Sequence, residues 1–143
     1  MSFIKIMIHC VWSTKNRVPV FSDKEIRHQL FKHILANAKE KDIFIDYIGG
    51  EKEHIHCLIS LGKEQNISKT IQLMKGESAF WFNKNFNQRL EWQDDYFAVS
   101  VSESVVPKVR EYIQNQEEHH KKKSYNDEYE EFIRLYGFEK NFG

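Results

Sequence analysis

The stretch Glu53-His54-Ile55-His56-Cys57-Leu58-Ile59-Ser60-Leu61 limits what this chain can fold into more than any other. It is rich in branched apolar residues and alternates over the length of a strand, so it reads as one. Successive side chains point to opposite faces of a sheet, which puts Ile55, Cys57, Ile59 and Leu61 on one face. His54, His56, Leu58 and Ser60 share the other. The two imidazoles then project side by side, roughly 6–7 Å apart along the backbone, close enough to grip one ion. Neutral imidazole is a common metal ligand, but two histidines do not complete a site. A further donor has to come from elsewhere in the chain.

The chain has 143 residues, 41% of them hydrophobic and 29% charged, which suits a folded single domain spanning 1–143. Lys plus Arg equals Asp plus Glu, at 21 each, and this balance argues against coating any polyanion by bulk charge. Local basic surfaces are still present. Lys5, Lys15 and Arg17 fall in a stretch of 20 residues without an acid, and Lys121-Lys122-Lys123 follows His119-His120. Such segregation permits a nucleic-acid surface, although a charge run by itself reads first as a solvated face. Cys10 and Cys57 lie in apolar runs without metal-site spacing, so they read as buried thiols of a reducing cytoplasm. The opening Met1-Ser2-Phe3-Ile4-Lys5-Ile6 is too short and interrupted for a signal peptide. No apolar run has the length to span a bilayer, and a cytoplasmic address is expected.

Residues 3–13 read as a first strand with Ile4, Ile6, Ile8 and Cys10 on one face, followed by a loop through Phe21. Ser22 with Glu25 three residues later has the form of a capping box, and apolar residues at helical spacing predict a helix to about Lys41. A second strand is predicted over 43–48, with Gly49-Gly50 and Glu51-Lys52 as the turn into the histidine strand. Asn66 or Ser68 would cap a second helix running to about Lys84, and a further strand follows over 96–101. Ser102 or Ser104 would open a third helix, with Pro107 in its first turn, continuing through Gln116 toward the lysines. A final helix over about 126–137 would end at Gly137. The order βαββαβα predicts an α+β, ferredoxin-like antiparallel sheet with helices on one face and the histidines on the other. That second face would be left for a ligand or partner.

In the third helix Tyr112, Gln116 and His120 are spaced by four and share a face. Gln116 offers an oxygen one turn from the Tyr112 phenol. A phenol is a weak nucleophile at neutral pH, with an ordinary pKa of about 10. It becomes useful where a cation polarises a phosphodiester and stabilises the charge that develops.

His54-Ile55-His56 resembles the HUH motif (histidine, hydrophobic, histidine), and Tyr112 with Gln116 resembles its Tyr-x-x-x-Gln partner. Val11-Trp12-Ser13-Thr14-Lys15-Asn16-Arg17, Trp92-Gln93-Asp94-Asp95-Tyr96 and Tyr112 through His120 extend the likeness. Over about 3–138 the chain is similar to the single-tyrosine transposases of the insertion sequence 200/605 family. The resemblance implies Mg2+ or Mn2+ held by His54, His56 and Gln116. It implies attack by Tyr112 on a single-stranded DNA phosphodiester, leaving a 5′-phosphotyrosine link and a free 3′-hydroxyl. It also implies hairpin substrates at element ends, and a homodimer whose tyrosine helix can serve the partner's histidines. Two departures stand out: Glu53 replaces the family's frequent aspartate, and Asp95-Tyr96-Phe97 replaces Gly-Tyr-Gly.

Lys15, Arg17, Lys69, Lys75 and His120 are candidate DNA contacts, each with a plainer reading as a solvated surface group. His119 and His120 read as surface residues or phosphate contacts before ligands. Trp12, Trp81 and Trp92 read as core or dimer contacts rather than base-stacking platforms. Three other functions compete with strand transfer: a host-adapted nickase of palindromic repeats, a non-catalytic nucleic-acid module, and a metal hydrolase using only water. The module would need exposed aromatics on its central strands, where this chain has histidines. The hydrolase would need a second dense cluster of acids and histidines.

Overall fold

The computed structural model describes the backbone of residues 1–135 and the side chains of residues 1–131. Among these, β1 (Ile6–Ser13), β2 (Phe44–Glu51), β3 (His54–Leu61) and β4 (Phe97–Val101) form an antiparallel sheet ordered β2-β3-β1-β4. Helices α1 (Lys24–Glu40) and α2 (Ile67–Asn85) connect β1 to β2 and β3 to β4. The chain therefore adopts the α+β, ferredoxin-like arrangement its sequence predicts, with the histidine strand at the centre of the sheet.

The two central strands are held in register by apolar pairs: Cys10 faces Cys57 and Trp12 faces Ile55. With Ile59 these side chains pack against Leu30, Phe31 and Ile34 of α1 and Ile71, Met74 and Phe82 of α2. Each large side chain removed from water in this layer contributes about 1.5–3 kcal/mol. Both cysteines are free and buried, as expected. Trp12 lies in this core, with Trp81 and Trp92 packed against it.

Several local expectations are corrected. The cap of α1 is Asp23, which accepts from the Glu25 and Ile26 amides, while the Ser22 hydroxyl donates to the Pro19 carbonyl. Asn66 caps α2. The first strand starts at Ile6 because β3 ends at Leu61, its register partner, leaving residues 3–5 no strand to pair with among the described residues. Gly49 and Gly50 belong to β2, and the turn is Lys52-Glu53. Glycine is needed there because a Cβ on Gly49 would stand 2.5 Å from the Ile113 carbonyl oxygen.

The predicted third helix is divided into α3 (Val106–Gln114) and α4 (Gln116–His119). The break falls at Asn115 (φ −96°, ψ 17°), a weak helix former that tolerates the bridge region. The final helix, α5, covers Tyr125–Leu135, so the expected stop at Gly137 lies outside the described residues. The histidine face is not left open. Val106 and Ile113 of α3 pack on Met7 and Leu58, and Tyr125 of α5 packs against Val11.

Candidate active site

His54 and His56 are buried completely. The Nδ1 of His54 lies 2.8 Å from Glu53 Oε1, and its Nε2 lies 2.9 Å from Gln116 Oε1. A neutral imidazole carries a single N–H. With that proton donated to Glu53, the Nε2 lone pair faces the Gln116 oxygen and, at 3.6 Å, Glu128 Oε1. Lone pairs converging in this way repel one another in the absence of a proton or cation between them. A carboxylate fixing the far nitrogen of a ligating histidine is also the usual outer support of a metal site. Nitrogen and oxygen donors in this mixture suit a divalent cation, so the residues present fit one.

His56 is supported differently. Its Nδ1 meets His9 Nε2 at 2.9 Å, with the two rings stacked, and its Nε2 lies 3.1 Å from Glu128 Oε1. Burial, reinforced by the neighbouring His56, pushes the His9 pKa down to about 3. Burial likewise lowers His56 to about 4, against the opposing pull of Glu128. Both rings are therefore neutral at physiological pH, the form a metal requires.

Tyr112 and Gln116 both reach this centre despite the break at Asn115, because α4 resumes the helical turn at once. The Tyr112 ring stands edge-on to His56 at 5.5 Å, and its hydroxyl donates to Glu128 Oε2. Gln116 is buried and donates to the same oxygen at 3.3 Å. Burial raises the Tyr112 pKa well above that of a free phenol, and the Glu128 charge raises it further. Burial would also raise Glu128, but the imidazoles of His120, His56 and His54 outweigh it and hold this carboxyl far below the usual range.

Three participants escaped the sequence reading: His9, Tyr125 and Glu128. Tyr125 stacks on the His54 ring at 4.3 Å. Glu128 is hidden in the sequence by the acidic run around it, which reads as a solvated face, and indeed Asp127 and Glu130 are exposed. The available signal was the spacing of Tyr125 and Glu128, three apart on one helical face.

The candidate DNA contacts separate by location. His120 turns a buried side chain toward Glu128, with Nε2 3.4 Å from Oε1 but not aligned as a hydrogen bond; His119 stands similarly, at 3.2 Å from Oε2. Arg17 lies over the Tyr125 and Tyr129 rings and donates to Asn126. That placement follows from two consecutive left-handed residues, Asn16 (φ 59°) and Arg17 (φ 54°). Arg17, His120 and Lys121–Lys123 line a cavity of about 600 Å³ whose wall includes Glu53. Lys15 is exposed, 3.9 Å from Glu91. Lys69 and Lys75 sit on α2, across the sheet from this centre, and Lys75 donates to the carbonyls of Gln93 and Asp94.

Comparison with known proteins adds the family. No curated protein matches the chain. A candidate transposase from Deinococcus radiodurans R1 shares the fold at a TM-score of 0.65 and 23% identity, covering 80% of this chain and 93% of that one. A REP-associated tyrosine transposase bound to a REP hairpin shares it at 0.59 and 15% identity, covering 85% of this chain and 71% of that one. Both likenesses concern the fold. The family described as "Transposase IS200 like" is matched over residues 2–116, which takes in His54, His56, Tyr112 and Gln116. On that match, extending over most of its length, the chain belongs to the IS200-like transposases.

Proposed function

We propose that the protein cuts and rejoins single-stranded DNA at the ends of an insertion element, with Tyr112 as nucleophile. The observation that carries this reading is the meeting of the Tyr112 phenol with the convergent donors of His54, His56 and Gln116. The phenol oxygen forms a bond to phosphorus, the P–O3′ bond breaks, and the phenol proton is lost as the 3′-oxygen departs carrying one. The products are a 5′-phosphotyrosine link and a free 3′-hydroxyl, and reversal at a second link joins strands without an energy cofactor. His54, His56 and Gln116 would hold Mg2+ or Mn2+, which when bound supplies positive charge against the phosphate.

Arg17 and the lysines lining the cavity provide a cationic approach for the DNA backbone. A folded hairpin as substrate is supported by the relative described as bound to a REP hairpin. The same likeness favours, as a second reading, a nickase acting on palindromic repeats with the same chemistry. A homodimer in which the tyrosine helix of one subunit can serve the histidines of the other is part of this proposal. A single domain spanning 1–143 and a cytoplasmic location are part of this proposal. Among the described residues no helix is long and apolar enough to cross a membrane.

The test is a denaturing gel with labelled hairpins from the DNA flanking the gene, with and without Mn2+. A boil-resistant protein–DNA band is expected that requires the metal and disappears in Tyr112→Phe, with hairpin binding retained. Cleavage by Tyr112→Phe would eliminate the tyrosine and point to hydrolysis.

A further inference from the structure

We propose that Glu128 is itself a ligand of the metal centre, so that α5 completes the His54, His56 and Gln116 set with a carboxylate. The inference rests on reading that cluster as a metal centre. It adds a ligand from beyond residue 116, where the family match ends.

Position comes first. Glu128 Oε1 is 3.1 Å from His56 Nε2 and 3.6 Å from His54 Nε2. Nitrogen and oxygen ligands at 2.0–2.2 Å from a shared ion stand roughly 3–4 Å from one another. One donor atom from each of His54, His56 and Glu128 lies within 4.8 Å of the others, so a single ion reaches all three with small adjustments. Gln116, already bonded to Glu128 through its amide nitrogen, presents its oxygen to the same space.

Charge is the second argument. Glu128 is 2% exposed, and an ionised carboxylate that deep is costly without a compensating cation. The groups within hydrogen-bond or ion-pair distance of it, among the described residues, are the imidazoles of His54, His56, His119 and His120, the Gln116 amide and the Tyr112 phenol. None is a permanent cation. A divalent ion between the carboxylate and the HUH histidines supplies the missing charge at the place where the His54 Nε2 lone pair already faces the Gln116 and Glu128 oxygens.

Third, Glu128 is held in place by contacts that need no metal. Tyr125, one turn earlier, stacks on His54, and Arg17 bonds Asn126. Lys123 pairs with Glu131 one turn later. The carboxylate is therefore delivered to the centre by a docked helix, and its second oxygen remains available to the Tyr112 hydroxyl.

The experiment is a calorimetric titration of the purified, metal-free full-length chain with MnCl2 and no DNA, with Mn2+ electron paramagnetic resonance as a second readout. Wild type should bind Mn2+, and His54→Ala should lose binding. Glu128→Gln, nearly isosteric, should bind at least tenfold more weakly, with an altered resonance spectrum and an unchanged circular dichroism spectrum. Glu128→Asp keeps the charge but shortens the reach, and decides the question should the glutamine variant not fold. Weakened binding by the aspartate variant supports the assignment. Affinity equal to wild type in whichever of the two variants folds would overturn it alone, leaving Glu128 as a hydrogen-bond acceptor for Tyr112. Absence of binding by wild type would overturn the metal reading itself, and the ligand assignment with it.

Discussion

Gly49 and Ile113 approach so closely that a Cβ on the glycine would stand 2.5 Å from the isoleucine carbonyl oxygen. This contact sets how near α3 lies to the sheet, and Tyr112 is the residue before Ile113. Gly49→Ala must push the helix outward. Overpacking of this kind costs about 1–3 kcal/mol. The expected result is a lower urea midpoint with a larger proportional loss of covalent adduct, because the proposed nucleophile moves with the helix. An adduct yield that fell only in step with stability would show that Tyr112 position does not depend on this contact.

His9 offers a test of the outer support of the proposed metal centre. His9→Phe keeps a ring of similar volume and removes the nitrogen that meets His56 Nδ1 at 2.9 Å. Loss of such a support typically weakens metal binding about 10–100-fold. Calorimetry with MnCl2 checks it, and unchanged affinity would assign His9 to packing alone.

Acid should destabilise the metal-free protein. His9 has a folded pKa of about 3, and His56 one of about 4, each below the ordinary histidine value of 6.5. Between those values the unfolded chain takes up protons that the folded chain refuses, so stability falls as pH drops. Its contribution is complete above about pH 6.5 and is lost progressively toward pH 4 and below. Thermal melts across this range should show a steady decline, which Mn2+ added at neutral pH moves to lower pH.

The seat of α5 depends on Arg17, which covers two tyrosine rings at 5.5 and 5.0 Å from their centroids. Each such contact is worth about 0.5–1 kcal/mol when exposed. Arg17→Ala should therefore speed amide hydrogen exchange in 125–135 while leaving the amides of β1 and β3 as protected as before. Uniform exchange across the chain would mean that α5 opens only with global unfolding.

The two thiols should be chemically silent in the native state. Cys10 and Cys57 are wholly buried, and burial raises the Cys10 pKa to about 12 and Cys57 well above the ordinary thiol range. The thiolate is the reactive form. Iodoacetamide at mildly alkaline pH should modify neither until denaturant is added.

The alternation of 53–61 was enough to place His54 and His56 on one face and Ile55, Cys57 and Ile59 on the other, and the order of elements was enough to suggest the sheet. The spacing of Tyr112 and Gln116 pointed to a shared position. What lay beyond reach depended on tertiary contacts. Gly49-Gly50 looks like a turn in any local reading, and only the approach of Ile113 explains glycines inside a strand. Glu128 sits among acids whose side chains face water, and only its spacing from Tyr125 sets it apart from them. The covering of the histidine face by α3 and α5 depends on where those helices dock. Periodicity reports which face of a helix is apolar, but not what it meets.

Asn16 and Arg17 adopt consecutive left-handed conformations, which cost a residue such as arginine about 1–2 kcal/mol and asparagine less. Glycine at position 16 would relax the backbone and leave the neighbouring guanidinium less firmly aimed at the tyrosines of α5. Selection for heat resistance and selection for a well-seated reaction centre thus pull this loop in opposite directions. A thermostabilising screen that ignored activity would be expected to gather substitutions there, yielding hardier proteins with a looser cover over the tyrosine.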